Sequence, residues 1–251
     1  MNIFDSHLHI IDKRFPIQEN HGYLPDYFSV TDYLDRVNKL DIKGGVVVSG
    51  SFQGFDQTYL VDALEKLGNN FVGVTQLPYD TSNEEINKLH KLGVQAVRFN
   101  VRRGGSEDLS KLAYFSQQVY DLVGWHTELY ISSIQLKGIS SVVETLPAVS
   151  VDHLGLTKSG LSTLFELVDK GVKVKATGFG RTDFDPVAVI QEIHSINQEA
   201  LMFGTDLPST RAKRKFENTD VAMIIQALGK EEAEKVLFSN GFNWYRGRRT
   251  P

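Results

Sequence analysis

Hydrophobic residues along the chain form short runs that alternate with longer segments in which apolar residues recur every three or four positions. Several of the short runs are nearly continuous in Val, Ile and Phe and lack the polar–apolar alternation of half-exposed strands. They therefore predict parallel strands that are buried on both faces. Eight strands are predicted in this way, at residues 2–4, 45–49, 71–76, 96–100, 128–131, 149–151, 172–175 and 201–203.

The segments between the predicted strands have the periodicity of amphipathic helices, most clearly at 32–40, 59–67, 83–89, 161–169 and 186–194. A strand followed by a helix, repeated eight times over 251 residues, predicts an α/β fold of the (β/α)8 TIM-barrel type, with a single domain over residues 1–251. An open, doubly wound sheet is the alternative, because periodicity does not show whether a sheet closes. Residues 246–249 predict a basic tail without regular structure.

Composition narrows the classes of function. The net charge of -4 gives no basic surface for nucleic acid or for an anionic membrane. The absence of cysteine excludes disulfides, thiolate zinc sites and a cysteine nucleophile. No run approaches the roughly 20 apolar residues of a membrane span, and Asp5, His7 and His9 interrupt any signal-peptide core. We therefore expect a cytoplasmic protein with a small-molecule substrate and no nucleic-acid or membrane partner.

In a TIM barrel the catalytic groups lie where the strands end and in the loops that follow. The first predicted strand is followed by Asp5, His7 and His9. Because residues i and i+2 of an extended chain point to the same side, the two histidines share one environment. Such a pair can hold one metal or flank one substrate carbonyl. Two histidines that only cap the core are the structural alternative.

Polar residues also follow or interrupt the second and fourth strands. Ser51 lies in a small polar loop after the second strand, and this loop lacks the G-x-S-x-G motif of serine hydrolases. Arg98 lies within the fourth strand, where an unpaired guanidinium would be costly. It therefore requires an anionic partner, either a carboxylate of the protein or a carboxylate of the substrate.

The last four strands end in further candidate residues, namely Tyr130, His153, Arg181 and Asp206. His126 begins the fifth strand, at the opposite end of the barrel, and is predicted to be structural. The loop 12–30 is long enough to fold over the site as a lid. The histidines at 7, 9 and 153 and the aspartate at 206 thus predict one centre at the C-terminal end of the barrel.

These residues give the chain a resemblance to the amidohydrolase superfamily. The similar segments are Asp5-Ser6-His7-Leu8-His9, His153, Gly204-Thr205-Asp206 and the C-terminal Phe238-Ser239-Asn240-Gly241-Phe242. Within the superfamily the chain most resembles the 2-pyrone-4,6-dicarboxylate lactonase-like family, a branch of lactonases of sugar and aromatic degradation. The similarity spans essentially the full length and implies a hydrolase.

The resemblance also implies roles for particular residues. Asp206 would be the general base that activates water, and His7, His9 and His153 would donate hydrogen bonds to the oxyanion. The implied substrate contacts are Arg98 and Arg181 for an anionic group, Tyr130 for the ring, Ser51 as a weaker match, and either Arg102 or Arg103 as a third anchor.

The chain departs from the binuclear members of the superfamily. Those enzymes bridge two metals with a carboxylated lysine after strand four and use a histidine after strand five, whereas this chain has Arg98 and Tyr130 there. The resemblance therefore argues against a binuclear site and favours a centre without a metal. One divalent metal such as zinc, held by His7, His9 and Asp206, is the alternative.

Three functions follow from these observations. The main hypothesis is a hydrolase that opens a carboxylated or sugar-derived lactone with Asp206 as general base. The second is a mononuclear metal-dependent amidohydrolase or decarboxylase that uses His7, His9, His153 and Asp206. The third is a barrel that binds a carboxylated metabolite without catalysis, since a fold does not guarantee chemistry.

Overall fold

The computed structural model describes residues 1–247 and contains one sheet of eight parallel strands. The strands are β1 (Ile3–Leu8), β2 (Ile42–Val48), β3 (Phe71–Thr75), β4 (Val94–Phe99), β5 (His126–Leu129), β6 (Val149–Val151), β7 (Lys173–Ala176) and β8 (Leu201–Phe203). Each strand pairs with the next one in the chain, so the order in the sheet is β1 to β8 without a reversal. A doubly wound sheet requires such a reversal, so that alternative is excluded and the TIM barrel is confirmed.

The barrel closes between β8 and β1 through side-chain and loop hydrogen bonds. The Ser6 hydroxyl donates to the carbonyl oxygen of Phe203 at 2.6 Å. The backbone N–H of Asp206 donates to the carbonyl oxygen of His7 at 2.7 Å. The loop after β8 is thereby held directly against the end of β1, which brings its side chains beside those of β1.

Helices follow the strands and cover the outside of the sheet. They are α1 (Val30–Arg36), α2 (Thr58–Leu67), α3 (Asn83–Lys91), α4 (Leu112–Val123), α5 (Ser133–Leu136), α6 (Ser140–Val143), α7 (Leu161–Asp169), α8 (Pro186–Ile196), α9 (Thr219–Leu228), α10 (Lys230–Glu234) and α11 (Asn240–Arg246). Each of the longer helices buries one apolar face, as Leu60 and Leu64 of α2 illustrate. Among the helices of residues 1–247, none has the length and apolarity that a bilayer span requires.

The element bounds differ from the predicted ones near the two ends of the chain. Strand β1 runs on to Leu8, because Leu8 still pairs with Val47 of β2, so His7 lies inside the strand rather than after it. Helix α1 begins early because the Ser29 side chain caps it, and it ends at Arg36. Arg246 is helical, contrary to the predicted tail, and residues 248–251 of that tail lie outside the described part of the chain.

The core has two apolar clusters. The larger one packs the outer face of the sheet against the helices. The smaller one includes Phe4, Val46, Val72 and Met202 from four strands and Tyr245 from α11. Several other buried side chains of the strands are charged, including Glu128 of β5 and Lys175 of β7, and these contact the residues of the site.

Candidate active site

The four predicted catalytic residues meet at the C-terminal end of the barrel. Nε2 of His9 lies 3.8 Å from Oδ1 of Asp206, and Nε2 of His7 lies 4.0 Å from the same oxygen. The ring of His153 lies 4.8 Å from the ring of His7, measured between centroids. All four side chains are buried, so their charges and hydrogen bonds depend on one another.

Asp206 is held in the loop after β8 by neighbours on β1 and in the turn after β7. A Cβ atom on Gly204 would lie 2.6 Å from the backbone nitrogen of His7, so only glycine permits this close approach. The Arg181 guanidinium donates to both carboxylate oxygens of Asp206, from Nε to Oδ2 at 2.6 Å and from Nη2 to Oδ1 at 3.2 Å. Burial raises the pKa of Asp206, and the charge of Arg181 opposes that shift. The more weakly bonded Oδ1 faces the two histidines.

His9 has a defined tautomer. Its Nδ1 lies 2.7 Å from the carbonyl oxygen of Val48, which only accepts, so Nδ1 carries the proton. Burial and the charge of Arg98 lower the pKa of His9 to about 3, so the ring is neutral near pH 7. Its Nε2 therefore presents a lone pair to the site. The role predicted for His9, donation of a hydrogen bond to an oxyanion, does not agree with this geometry.

His153 lies in the turn after β6. Its Nδ1 is 2.6 Å from the hydroxyl of Thr177, which is able to donate as well as accept. Burial lowers the pKa of His153 well below its usual value. The ring is neutral, and its Nε2 carries the proton when Thr177 donates to Nδ1.

Arg98 has a protein carboxylate as its anionic partner. Its Nε and Nη2 donate to Oδ2 of Asp152 at 3.0 and 2.7 Å, and its Nη1 donates to the carbonyl oxygen of Ser49 at 2.8 Å. Tyr130 covers the guanidinium with its ring, whose centroid lies 4.9 Å from Cζ. Since Arg181 is paired with Asp206 in the same way, both predicted carboxylate anchors already bind carboxylates of the protein.

A group of buried charges beside His7 was not predicted from the sequence. The Lys175 ammonium lies 2.7 Å from Oε2 of Glu128, 3.7 Å from Oδ1 of Asp152 and 3.3 Å from Nδ1 of His7. The hydroxyl of Tyr245 donates to Glu128. Burial acts to raise the pKa of Glu128, but the positive charge of Lys175 outweighs this effect and lowers that pKa to about 2. The signal was present in the sequence, because Glu128 and Lys175, like Arg98, are charged residues within predicted buried strands.

A small cavity opens beside these residues. Its lining contains His9, Ser51, Arg98, Tyr130, His153 and Arg181 of the predicted site, together with Tyr23, Arg103 and Arg211. Of the two arginines left open by the sequence, Arg103 lines the cavity, whereas Arg102 is exposed outside it. Four arginines around one small cavity favour an anionic ligand.

The predicted lid lies over this cavity. Tyr23 of the loop contributes to the lining, and the Arg211 guanidinium stacks on its ring with Cζ 4.3 Å from the centroid. Asn20 accepts hydrogen bonds from Ser51 and Arg211 and donates to the carbonyl oxygen of Arg103. One loop residue thus joins three neighbouring loops above the site.

His7, His9 and Asp206 also fit the spacing of a metal site. Each offers one ligand atom, and these atoms lie within 4.8 Å of one another. The lone pair of His9 Nε2 suits a divalent ion, and Nε2 of His7 is buried without a hydrogen-bond partner among residues 1–247. Against this fit, Arg181 already neutralises Asp206, and the nearby Arg98 and Lys175 repel a cation.

Comparisons with known proteins agree with this arrangement. The amidohydrolase family model matches residues 4–246. A 4-sulfomuconolactone hydrolase of Rhizobium radiobacter is 25% identical over 94% of this chain and 87% of its own length. A 2-pyrone-4,6-dicarboxylate hydrolase of Comamonas testosteroni is 29% identical over 60% of this chain and 51% of its own.

Solved structures show the same fold. A probable 2-pyrone-4,6-dicarboxylic acid hydrolase from Acinetobacter baumannii superposes with a TM-score of 0.84 at 21% identity, covering 98% of this chain and 100% of that one. A putative enzyme of the same name from Pseudomonas putida superposes with a TM-score of 0.81 at 22% identity, covering 99% and 98% of the two chains. The family match over nearly the whole chain, together with the site at the barrel end, shows that this protein belongs to the amidohydrolase family and is a hydrolase.

Proposed function

We propose that the protein hydrolyses a lactone that carries a carboxylate or another anionic group. The observation that carries this proposal is the pair formed by Oδ1 of Asp206 and Nε2 of His9, two hydrogen-bond acceptors 3.8 Å apart beside an arginine-lined cavity. The names of the relatives from Rhizobium radiobacter and Comamonas testosteroni, both lactone hydrolases, support the same reaction class.

A water molecule between these two acceptors is the nucleophile. It donates one hydrogen bond to His9 and one to Asp206, so its oxygen is directed at a carbonyl carbon in the cavity. Asp206 takes the proton as the new C–O bond forms. When the tetrahedral intermediate collapses, the ring C–O bond breaks and Asp206 returns the proton to the leaving oxygen. The product is an open-chain hydroxy acid or its keto form.

The negative charge that develops on the carbonyl oxygen requires donors that are already in place. Arg181 lies at the cavity and carries a full positive charge beside Asp206. His7 and His153 supply ring N–H groups when the proton is on Nε2. These three residues, rather than His9, stabilise the oxyanion.

Arg103 and Arg211 bind the anionic group of the substrate. Neither has an acidic partner within 4 Å in residues 1–247, unlike Arg98 and Arg181. Burial and the positive charge of Arg103 lower the pKa of Arg211, so an anion between the two guanidinium groups relieves their repulsion. This assignment moves the substrate anchor from the strand ends to the loops above them.

A panel of lactones, each as the carboxylate and as its methyl ester, tests this proposal. We expect the wild type to open carboxylated lactones with the higher kcat/KM. Arg211→Met raises KM for the carboxylates about tenfold or more, since a charged hydrogen bond contributes about 1.5–3 kcal/mol, and it leaves the esters unaffected. Arg102→Met is the matched control and changes neither. Binding without turnover of any lactone would contradict the proposed substrate class.

A metal-dependent hydrolase is the second candidate, favoured by the convergence of His7, His9 and Asp206 within 4.8 Å. These three residues would hold one divalent ion such as zinc, which supplies Lewis-acid activation of water or of the carbonyl. Metal analysis of the purified protein followed by chelation separates the candidates. We expect full lactonase activity after stripping, whereas loss of activity that zinc restores would establish the metal-dependent enzyme.

A further inference from the structure

Lys175 is fully buried inside the barrel and contacts His7 of the site. Its ammonium is surrounded by Oε2 of Glu128 at 2.7 Å, Nδ1 of His7 at 3.3 Å and Oδ1 of Asp152 at 3.7 Å. A buried lysine is costly unless opposite charges and hydrogen-bond acceptors surround its ammonium group. The two carboxylates provide compensating charge, and the ring nitrogen of His7 is the remaining acceptor.

The contact with Lys175 determines which nitrogen of His7 carries the proton. An ammonium group only donates, so Nδ1 of His7 must present its lone pair to Lys175. In a neutral ring the proton is then on Nε2, the atom 4.0 Å from Oδ1 of Asp206. A ring that presents a lone pair at Nδ1 is not doubly protonated, so His7 in contact with Lys175 is neutral.

Asp152 is the competing partner for the same nitrogen. Its Oδ1 lies 3.4 Å from Nδ1 of His7 but accepts no hydrogen bond from any group in residues 1–247. Its Oδ2 receives both bonds from Arg98. The position of Asp152 therefore leaves Lys175 as the group that is hydrogen-bonded to His7.

We propose that Lys175 is a positioning residue that holds His7 with its proton on Nε2. His7 then donates to the substrate carbonyl oxygen, while His9 accepts from the nucleophilic water. The two histidines of the H-x-H motif thus have opposite tautomers and opposite roles. The catalytic part of this inference rests on the proposed lactone hydrolysis, whereas the tautomer itself does not.

The same arrangement bears on the metal. A ring nitrogen that carries a proton has no lone pair for a metal ion, so His7 in this tautomer is not a ligand. The spacing of His7, His9 and Asp206 is that of a metal site, but Lys175 assigns His7 a different function.

Nuclear magnetic resonance of protein labelled with 15N-histidine tests the inference directly. Long-range 1H–15N correlations distinguish the protonated from the unprotonated ring nitrogen, and His7→Gln identifies the signals of His7. We expect the His7 proton on Nε2 and the His9 proton on Nδ1 in the wild type. A His7 ring protonated on Nδ1 would overturn the inference without any variant.

The double variant Lys175→Met/Glu128→Gln removes the donor together with its main counter-charge, which limits the cost of an unpaired buried group. We expect the His7 proton to move to Nδ1, facing Asp152, and kcat to fall about 100-fold with little change in KM, as for loss of an oxyanion donor. Glu128→Gln alone is the matched control, because it keeps Lys175, and we expect it to retain the wild-type tautomer.

An unchanged tautomer in the double variant contradicts the role of Lys175. If no lactone is hydrolysed but the tautomers are as expected, the proposed function fails and this inference stands.

Discussion

Neighbouring side chains at the site differ in which of their atoms is free to bind substrate or water, and in whether that atom accepts or donates a hydrogen bond. His9 presents a lone pair because the Val48 carbonyl fixes the proton on Nδ1. Asp206 presents Oδ1 because Arg181 binds Oδ2 at the shorter distance. At the residue scale, the hydrogen bonds that each group makes to the protein thus determine which of its atoms is left to act on the substrate.

The ionisation of Asp206 predicts the acid limb of the pH–rate profile. Only the carboxylate accepts a proton from water, and burial raises the pKa of Asp206 above the ordinary value of 3.8. As the pH falls through this raised pKa, the carboxylate becomes protonated and kcat/KM declines tenfold per pH unit. We expect the midpoint above pH 3.8 in a profile of lactone ring opening. A midpoint at or below that value would mean that another group controls the limb.

At the scale of the elements, Asp5 joins the ends of the barrel sheet. Its Oδ1 accepts from the backbone N–H of Thr205 at 2.8 Å, and its Oδ2 accepts from the Thr205 hydroxyl at 2.7 Å and the Tyr33 hydroxyl at 3.0 Å. Burial raises the pKa of Asp5 to about 6. A strand, a helix and the loop that carries Asp206 therefore share one carboxylate.

Asp5→Asn tests this role in closing the barrel. The amide group of asparagine can replace only one of the two accepting oxygens, so at least one buried donor loses its partner. We expect the free energy of unfolding to fall by about 1–3 kcal/mol in urea denaturation at pH 8. Asp35→Asn, on the exposed side of α1, is the control and changes it by about 0.5 kcal/mol or less. Equal stability of the two variants would contradict the assigned role.

At the scale of the whole molecule, the barrel and the place of the site were predictable from the sequence. Eight buried strands give a strong pattern, and the rule that chemistry lies at strand ends located His153 and Asp206. The pairing of Arg98 with Asp152 was only one of two alternatives, because the partners are 54 residues apart and nothing local specifies their contact. The tautomer of His9 was not predictable, since it depends on a carbonyl of the next strand. Lys175 and Glu128 are charged residues in buried strands, as Arg98 is, so the cost of burying a charge predicts an oppositely charged partner for each of them.

Lactone opening by this protein depends on Asp206 as the base. Asp206→Asn keeps the shape of the side chain but cannot take a proton. The decisive measurement is kcat of this variant with the carboxylated lactone that the wild type opens fastest, with circular dichroism to verify the fold. We predict a loss of at least about 10²–10³ in kcat. Turnover close to that of the wild type by the folded variant would contradict the role of Asp206 as the base.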